Sequence, residues 1–356
     1  VRIFGGAQDT AGCYYRILAP FSVLRYRTAH EFESGLVSAK TAEDFDVLWL
    51  HQHADPTTEL IMADMQKRGG LVVYDVDDWL FGLPASWPCY DNWFTRGTGT
   101  PRERLLFHER LLRRASVITT TTPYLAAKLE AHLGLEPGTV RVLPNGVVMG
   151  EWDVLPETAH DELQGPLLGW FGTENHWDDW WDIVPIVDRV LEDLHGHLAI
   201  IGAPELITMF PDRLAARTWM HPLVKMRELP KVRRLIKSFD VGLAWTTDRT
   251  ESSKCRSPLK AIQYGAGGVP VVASETVYGD LWSDCREPES PHITKYGFLA
   301  KLDNLEMVLH EALSAARPAA LEMAQAWREE IWIHHSYEQQ AMRWLDVIVQ
   351  AHNGKA

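Results

Sequence analysis

Apolar residues in this chain fall in short unbroken runs, separated by stretches with helical spacing. Val1-Arg2-Ile3-Phe4 runs into Gly5-Gly6, and apolar positions at helical spacing then continue to Leu24. Phe45-Asp46-Val47-Leu48-Trp49-Leu50, Leu71-Val72-Val73-Tyr74 and Val117-Ile118-Thr119-Thr120-Thr121 read as strands buried on both faces of a parallel sheet. Helices are expected over 57–68, 102–114 and from Pro123 to Leu133, with a further strand and turn over 140–147. The alternation predicts a doubly wound α/β sheet. Leu155 to Pro166 is polar and bounded by prolines, the composition of a linker. The pattern then restarts, with a strand and glycine turn over 167–173, a Trp-rich helix from about 177, and strands over 198–202 and 224–229. A basic helix over 231–238, a strand over 239–245, a short helix, a glycine turn and a buried strand to Ser274 follow. The chain closes with a long helical region holding Trp327 and Trp332, then an amphipathic helix from Ser336 to Val349. Two successive α/β series result, 1–160 and 161–335.

A length of 356 residues suits two domains better than one core. The 46% apolar and 23% charged content is that of a soluble globular protein. No apolar run is long enough for a transmembrane segment and no signal peptide opens the sequence, so a cytoplasmic location is expected. A net charge of −13 argues against non-specific coating of nucleic acid, though not against a local basic groove. Cys13, Cys89, Cys255 and Cys285 lack the spacing of a zinc site or a disulfide framework, which fits a reducing compartment. Fifteen tryptophans are more than usual; most belong to a core, and any at the surface suit the C–H faces of pyranose rings.

Candidate chemistry gathers in three places. The stretch 252–274 begins as a cationic loop and turns into a helix, with Ser257 suited to the N-cap and Pro258 to the first helical position. Lys254, Arg256 and Lys260 crowd that helix start, where free N–H groups and the positive dipole end favour a phosphate or diphosphate. A capped surface helix with solvated lysines is the plainer account. Asp75, Asp77 and Asp78 stand at a strand end, where like charges repel and resist burial, an arrangement that favours function over a solvated turn. Asp75-Val76-Asp77 is also an Asp-x-Asp, a pattern that can hold a divalent cation on a nucleotide diphosphate. His51 and His53 lie just past another strand, at the edge where open α/β sheets bind ligands. Gly12 lies in the loop after the first strand, where a backbone can approach a ligand closely, but no G-x-G-x-x-G is present to support a dehydrogenase. Arg16 on the following turn reads equally as a contact to a phosphate or acceptor and as a helix-surface charge. The irregular loop 81–101, with Trp87, Tyr90, Trp93 and Phe94, is expected to be an acceptor-contacting flap. The basic runs over 102–114 and 225–237 are most simply solvated helix faces.

Four motifs in order carry a resemblance: Val142-Leu143-Pro144-Asn145-Gly146-Val147, Leu168-Gly169-Trp170-Phe171-Gly172-Thr173, Phe239-Asp240-Val241-Gly242-Leu243-Ala244, and Lys260 to Ser274. In them the chain resembles the GT-B glycosyltransferases, closest to the family 4 group of retaining enzymes, in a divergent branch of bacterial or phage type. The resemblance implies two Rossmann-like domains facing a cleft, with residues 336–356 returning to the first. It implies transfer of a sugar from a UDP- or GDP-sugar, with retention, no metal and no other cofactor. The acceptor classes it leaves open are a modified DNA base, a protein, and an envelope glycan or lipid. It implies Lys254, then Lys260 and Arg256, on the leaving diphosphate, with backbone N–H groups near Gly172 and Thr173. Gln263 is expected on the ribose, at a position where the family carries glutamate; the earlier glutamate position falls on Cys255. Glu174, Asn175 and His176 stand where the family often has a basic pair. Asp77 or Asp78 is expected at the sugar or its anomeric carbon, and Gly12, Tyr15, Arg16, His51 and Asp75 on the acceptor side. Two rivals remain: a non-catalytic GT-B module that binds a sugar-nucleotide or glycan, and a metal-dependent Asp-x-Asp enzyme.

Overall fold

In the computed structural model, residues 1–354 are described except 7, 9, 84–99, 158–162, 223–225, 288–289 and 315–316. The aromatic residues of the expected flap, Trp87, Tyr90, Trp93 and Phe94, lie outside the described residues, as does Cys89. Two units follow from how the chain packs: Val1–Val148 with Cys255–Ser257 and His335–Ala356, and Met149–Lys254 with Pro258–His334.

In the first unit the strands are β1 (Arg2–Gly6), β2 (Glu31–Gly35), β3 (Val47–His51), β4 (Leu71–Val76), β5 (Val117–Thr120) and β6 (Arg141–Val142). They pair in parallel in the order β2-β1-β3-β4-β5-β6. Successive strand residues face opposite sides, and the apolar runs feed two cores accordingly. Leu48, Leu50, Val72 and Tyr74 enter one, with the helices Pro56–Lys67, Pro101–Arg114 and Pro123–Leu133. Val47, Trp49 and Val73 enter the other, with the helices Ala19–Arg27 and Tyr337–His352. The three crossover helices share one start signal, a capping residue followed by proline. Asp55 and Thr122 accept from the backbone N–H groups of Thr58 and Leu125, and Thr100 forms a reciprocal box with Glu103. The final helix belongs to this unit, where Trp344 stacks on Trp49 with ring centroids 5.1 Å apart. β2 went unpredicted because Phe32 is its only buried residue, as suits a short edge strand.

The second unit repeats the scheme with β7 (Leu167–Phe171), β8 (His197–Ile201), β9 (Thr218–His221), β10 (Val241–Ala244), β11 (Val271–Ser274) and β12 (Phe298–Ala300), ordered β12-β11-β10-β7-β8-β9 and all parallel. The strand expected over 224–229 is absent: Met226–Glu228 forms a helical turn that leads into the helix Leu229–Ile236, and the strand is instead Thr218–His221. Val224 and Lys225 lie outside the described residues. Trp49, Trp152, Trp170, Trp180, Trp282, Trp327 and Trp344 are fully buried, so these tryptophans build cores, while Trp181 and Trp332 are exposed. Among the described residues no helix is long and apolar enough to cross a membrane.

Gly169 shows how tightly the second sheet is packed. A Cβ there would lie 1.9–2.2 Å from three carbons of the Phe239 ring, which is itself buried. Gly169→Ala is therefore expected to destabilise the second unit by about 2–3 kcal/mol through overpacking. Urea denaturation checks this; an unchanged midpoint would mean that the ring moves aside freely.

Candidate active site

In the first unit the site grows out of strand register. β3, β4 and β5 align His51 with Asp75 and Asp75 with Thr119, so three polar side chains stand abreast at the carboxyl edge of the sheet. That edge is where open parallel sheets present ligand-binding groups. Asp75 is fully buried, contrary to the expectation that a crowded carboxylate resists burial. Its counter-charge comes from the helical turn after β1. Arg16 Nε and Nη2 donate to the two Asp75 oxygens at 2.8 and 2.7 Å, a bidentate geometry that suits guanidinium and carboxylate. The same guanidinium donates to the Leu143 carbonyl at 2.6 Å and to Asn145 Oδ1 at 3.0 Å, and lies over the Trp344 ring at 4.6 Å. Arg16 is thus neither a surface charge nor an outward anion contact; it is a fully buried clamp. Asp75 also accepts from Thr119 Oγ1 at 2.5 Å and faces His51 Nδ1 at 3.0 Å. Burial alone would raise the Asp75 pKa, but Arg16 and His51 outweigh it and hold the carboxyl down at about 2.

With Nδ1–H committed to Asp75, His51 turns Nε2 toward Asp77, 3.5 Å from Oδ1. Burial disfavours the charged imidazole, yet Asp77 and Asp75 together raise its pKa against the opposing charge of Arg16. Gln52 Nε2 donates to Asp77 Oδ1 at 2.7 Å. Gln52 adopts φ +49°, a left-handed conformation that is uncommon outside glycine and collects at functional sites. Gly12 closes the set: a Cβ there would lie 2.7 Å from His51 Nε2 and 3.3 Å from Asp77 Oδ2. The result is a pinned imidazole nitrogen and a carboxylate oxygen beside bare backbone, which suits the hydroxyls of a sugar or acceptor. Asp77 keeps 18% of its side chain exposed. Asp78 follows it in a bend and is half-buried. Tyr15 is buried, and its carbonyl accepts from the Tyr337 hydroxyl. His53 turns inward and donates through Nδ1 to the His51 carbonyl at 3.1 Å, and burial lowers its pKa to about 4.

In the second unit the loop after β7 carries Gly172 and Thr173. Gly172 N donates to Ile201 O at 2.9 Å. Gly202, at φ +98°, lets the neighbouring loop close in: a Cβ there would lie 2.3 Å from Gly172 O. The helix Leu259–Ala266 carries Lys260 and, one turn on, Gln263, both buried. Trp327 Nε1 fixes that helix by donating to Ala261 O at 2.8 Å, and the Tyr264 hydroxyl donates to Gly169 O at 3.1 Å. The helix begins one residue later than expected, with Pro258 at the N-cap and Leu259 first. Ser257 is drawn off because its hydroxyl accepts from Asn145 Nδ2 at 2.8 Å.

The three cations of this stretch are in unlike settings. Lys254 is 40% exposed and pairs with Glu251 at 3.2 Å. Arg256 is half-buried in the Cys255–Ser257 segment, which belongs to the first unit. Lys260 points to His176 in the turn after Gly172, with Nζ 2.6 Å from Nε2, and lies 5.3 Å from the Trp170 ring centre. Sequence reasoning noted His176 only as a departure from a pattern, and its link to Lys260 spans 84 positions.

The two sheets and their flanking helices have the fold of the GT-B glycosyltransferases. Residues 7–146 match the model of the glycosyl transferase 4-like domain. Sucrose-phosphate synthase from Thermosynechococcus elongatus superposes with a TM-score of 0.66 at 12% identity, covering 99% of each chain. An alpha-glucosyltransferase solved with UDP-glucose and DNA containing an abasic site gives 0.65 at 13%, covering 98% of each. Anabaena HepE solved with UDP gives 0.61 at 12%, covering 98% of this chain and 99% of that one. No curated protein matches the chain in sequence.

Proposed function

We propose that the chain transfers a sugar from a UDP- or GDP-sugar to a hydroxyl acceptor, with retention at the anomeric carbon and without a metal. The observation that carries this reading is Lys260, a cation held at the glycine loop after β7 by His176. As the bond from the anomeric carbon to the diphosphate breaks, the leaving oxygen takes the electron pair, and a fixed cation there stabilises the transition state. Lys260 takes this role ahead of Lys254, which is solvated and already paired. The N–H groups at the start of the helix Leu259–Ala266 and near Thr173 add donors for the same charge, while the Gly172 N–H is taken by Ile201 O. Gln263 is assigned to the ribose and Arg256 to a supporting charge.

Asp77 is assigned to the sugar or acceptor hydroxyls, with its neighbour Asp78 in support. Its partner His51 orients it, and the acceptor oxygen passes its proton to the leaving diphosphate oxygen as it joins the anomeric carbon. Arg16, Asp75 and Tyr15 hold this edge of the sheet in shape. The metal-free part of the reading is supported by Asp75, whose oxygens serve Arg16, His51 and Thr119, so the Asp-x-Asp does not offer two open carboxylates. UDP in the HepE complex and UDP-glucose in the alpha-glucosyltransferase complex support a nucleotide-sugar donor. Retention is carried over from the family resemblance.

The test is mass spectrometry of donor breakdown over a panel of UDP-, GDP- and dTDP-sugars, with and without excess chelator. Turnover of a UDP- or GDP-sugar that survives chelation is expected. No turnover from either class contradicts the reading, and activity abolished by chelator and restored by Mn²⁺ favours the Asp-x-Asp alternative. Gly12→Ala is expected to lower turnover at least about tenfold, because its methyl group meets two side chains that are already pinned. Its denaturation midpoint should fall less than that of Gly169→Ala, whose Cβ would lie closer to its neighbours; equal activity would show that the space beside Gly12 is not used.

A further inference from the structure

Lys260 is not simply placed near the glycine loop; it ends a chain of hydrogen bonds. An ammonium has only donors, so the imidazole accepts from it; Nζ lies 2.6 Å from His176 Nε2 and 3.3 Å from Nδ1, and Nε2 is the nearer acceptor. The other ring nitrogen must then carry the proton, and Nδ1–H donates to Asp179 Oδ2 at 2.5 Å. Asp179 is buried in the helix Trp177–Trp181, and its second oxygen accepts from Thr247 N, beyond β10, at 2.8 Å. The Trp170 ring meets the imidazole edge-on at 5.6 Å. A neutral imidazole thus links a buried ammonium to a buried carboxylate, and backbone from a third element fixes the far end.

We infer that His176 and Asp179 are positioning residues for Lys260, and that protonating His176 uncouples the cation from the donor's diphosphate. The inference rests on the reading of Lys260 as the diphosphate cation. Among the described groups facing the His176 ring are Lys260 from the helix Leu259–Ala266, Asp179 from the helix Trp177–Trp181, and the Trp170 ring from β7. A protonated imidazole has no lone pair for Lys260 and adds a second positive charge beside it. Asp179 then neutralises His176⁺, and Lys260 must leave its position. Donor binding therefore weakens as the solution is acidified, through a group that never touches the donor.

The experiment is calorimetric titration of UDP into the full chain between about pH 8 and about pH 5.5, the range in which imidazoles change charge. UDP also gains a proton in this range, so the readout is the difference between wild type and His176→Gln. Glutamine offers Lys260 a carbonyl that cannot be protonated. Lys260→Met is expected to weaken UDP at least about tenfold at the upper pH, the loss of one charge-assisted contact. His176→Gln should stay within about threefold of wild type there and lose less affinity on acidification, by about a factor of five or more. Asp179→Asn, which unfixes the imidazole, should weaken UDP while leaving the affinity of a Lys260→Met background unchanged. Parallel pH profiles for wild type and His176→Gln, with Lys260→Met still weakened, overturn the relay alone. Undiminished UDP binding by Lys260→Met overturns the diphosphate assignment on which it stands.

Discussion

Arg16→Ala is expected to destabilise the first unit by about 3–5 kcal/mol, the usual effect of removing one partner from a buried ion pair. Asp75 would keep His51 and Thr119 but lose the bidentate guanidinium, and it has no access to water. The Leu143 carbonyl and Asn145 would lose a donor in the same step. A drop of roughly 10 °C in thermal midpoint corresponds to this for a unit of such size. The double variant Arg16→Met with Asp75→Asn removes both charges and should be less destabilised than Arg16→Ala. A wild-type midpoint for Arg16→Ala would show that the clamp contributes nothing. The same pair sets an acid limit. The Asp75 carboxyl sits at about 2 in the folded protein, against about 3.9 for a free aspartate. Because the folded value is the lower one, the stabilisation is present above about pH 4 and is lost as the pH falls through about 2. Its size is about 2–3 kcal/mol, and an acid titration of wild type against Asp75→Asn reads it directly.

Lys260→Met is expected to lower donor turnover about a hundredfold, the effect of removing one fixed donor from a developing negative charge. The stem of methionine fills the same space, so folding should survive. Lys254→Met, at an exposed and already paired ammonium, should cost less than about threefold, in line with the small worth of surface ion pairs. Rates of nucleotide release check both. Equal losses at Lys254 and Lys260 would return the diphosphate to the exposed loop.

These two residues also mark what the sequence could and could not tell. The sheets were readable because strands buried on both faces leave unbroken apolar runs, as at Val47 to Leu50 and Val72 to Tyr74. Strands such as β2 and β12 were not, since an edge position or a length of three residues leaves no periodicity. The aspartates at the end of β4 were legible as an anomaly, but their division of labour was not. Asp75 is buried because Arg16, 59 positions away, neutralises it, while Asp77 keeps partial access to water. No local pattern carries that information. Likewise 252–274 showed a cluster of cations but not which of them is held. Lys260 and His176 meet only through the pairing of β7 with β10 and the packing of the following helix. The helix start was misread by one residue because Ser257 has a partner, Asn145, on a distant turn.

The central claim is tested most directly by following the anomeric proton of UDP- and GDP-sugars by NMR in the presence of the wild-type chain. The account predicts loss of the nucleotide-sugar signal and release of free nucleotide, with the first sugar product in the same anomeric configuration as the donor. Unchanged spectra for every UDP- and GDP-sugar would contradict it.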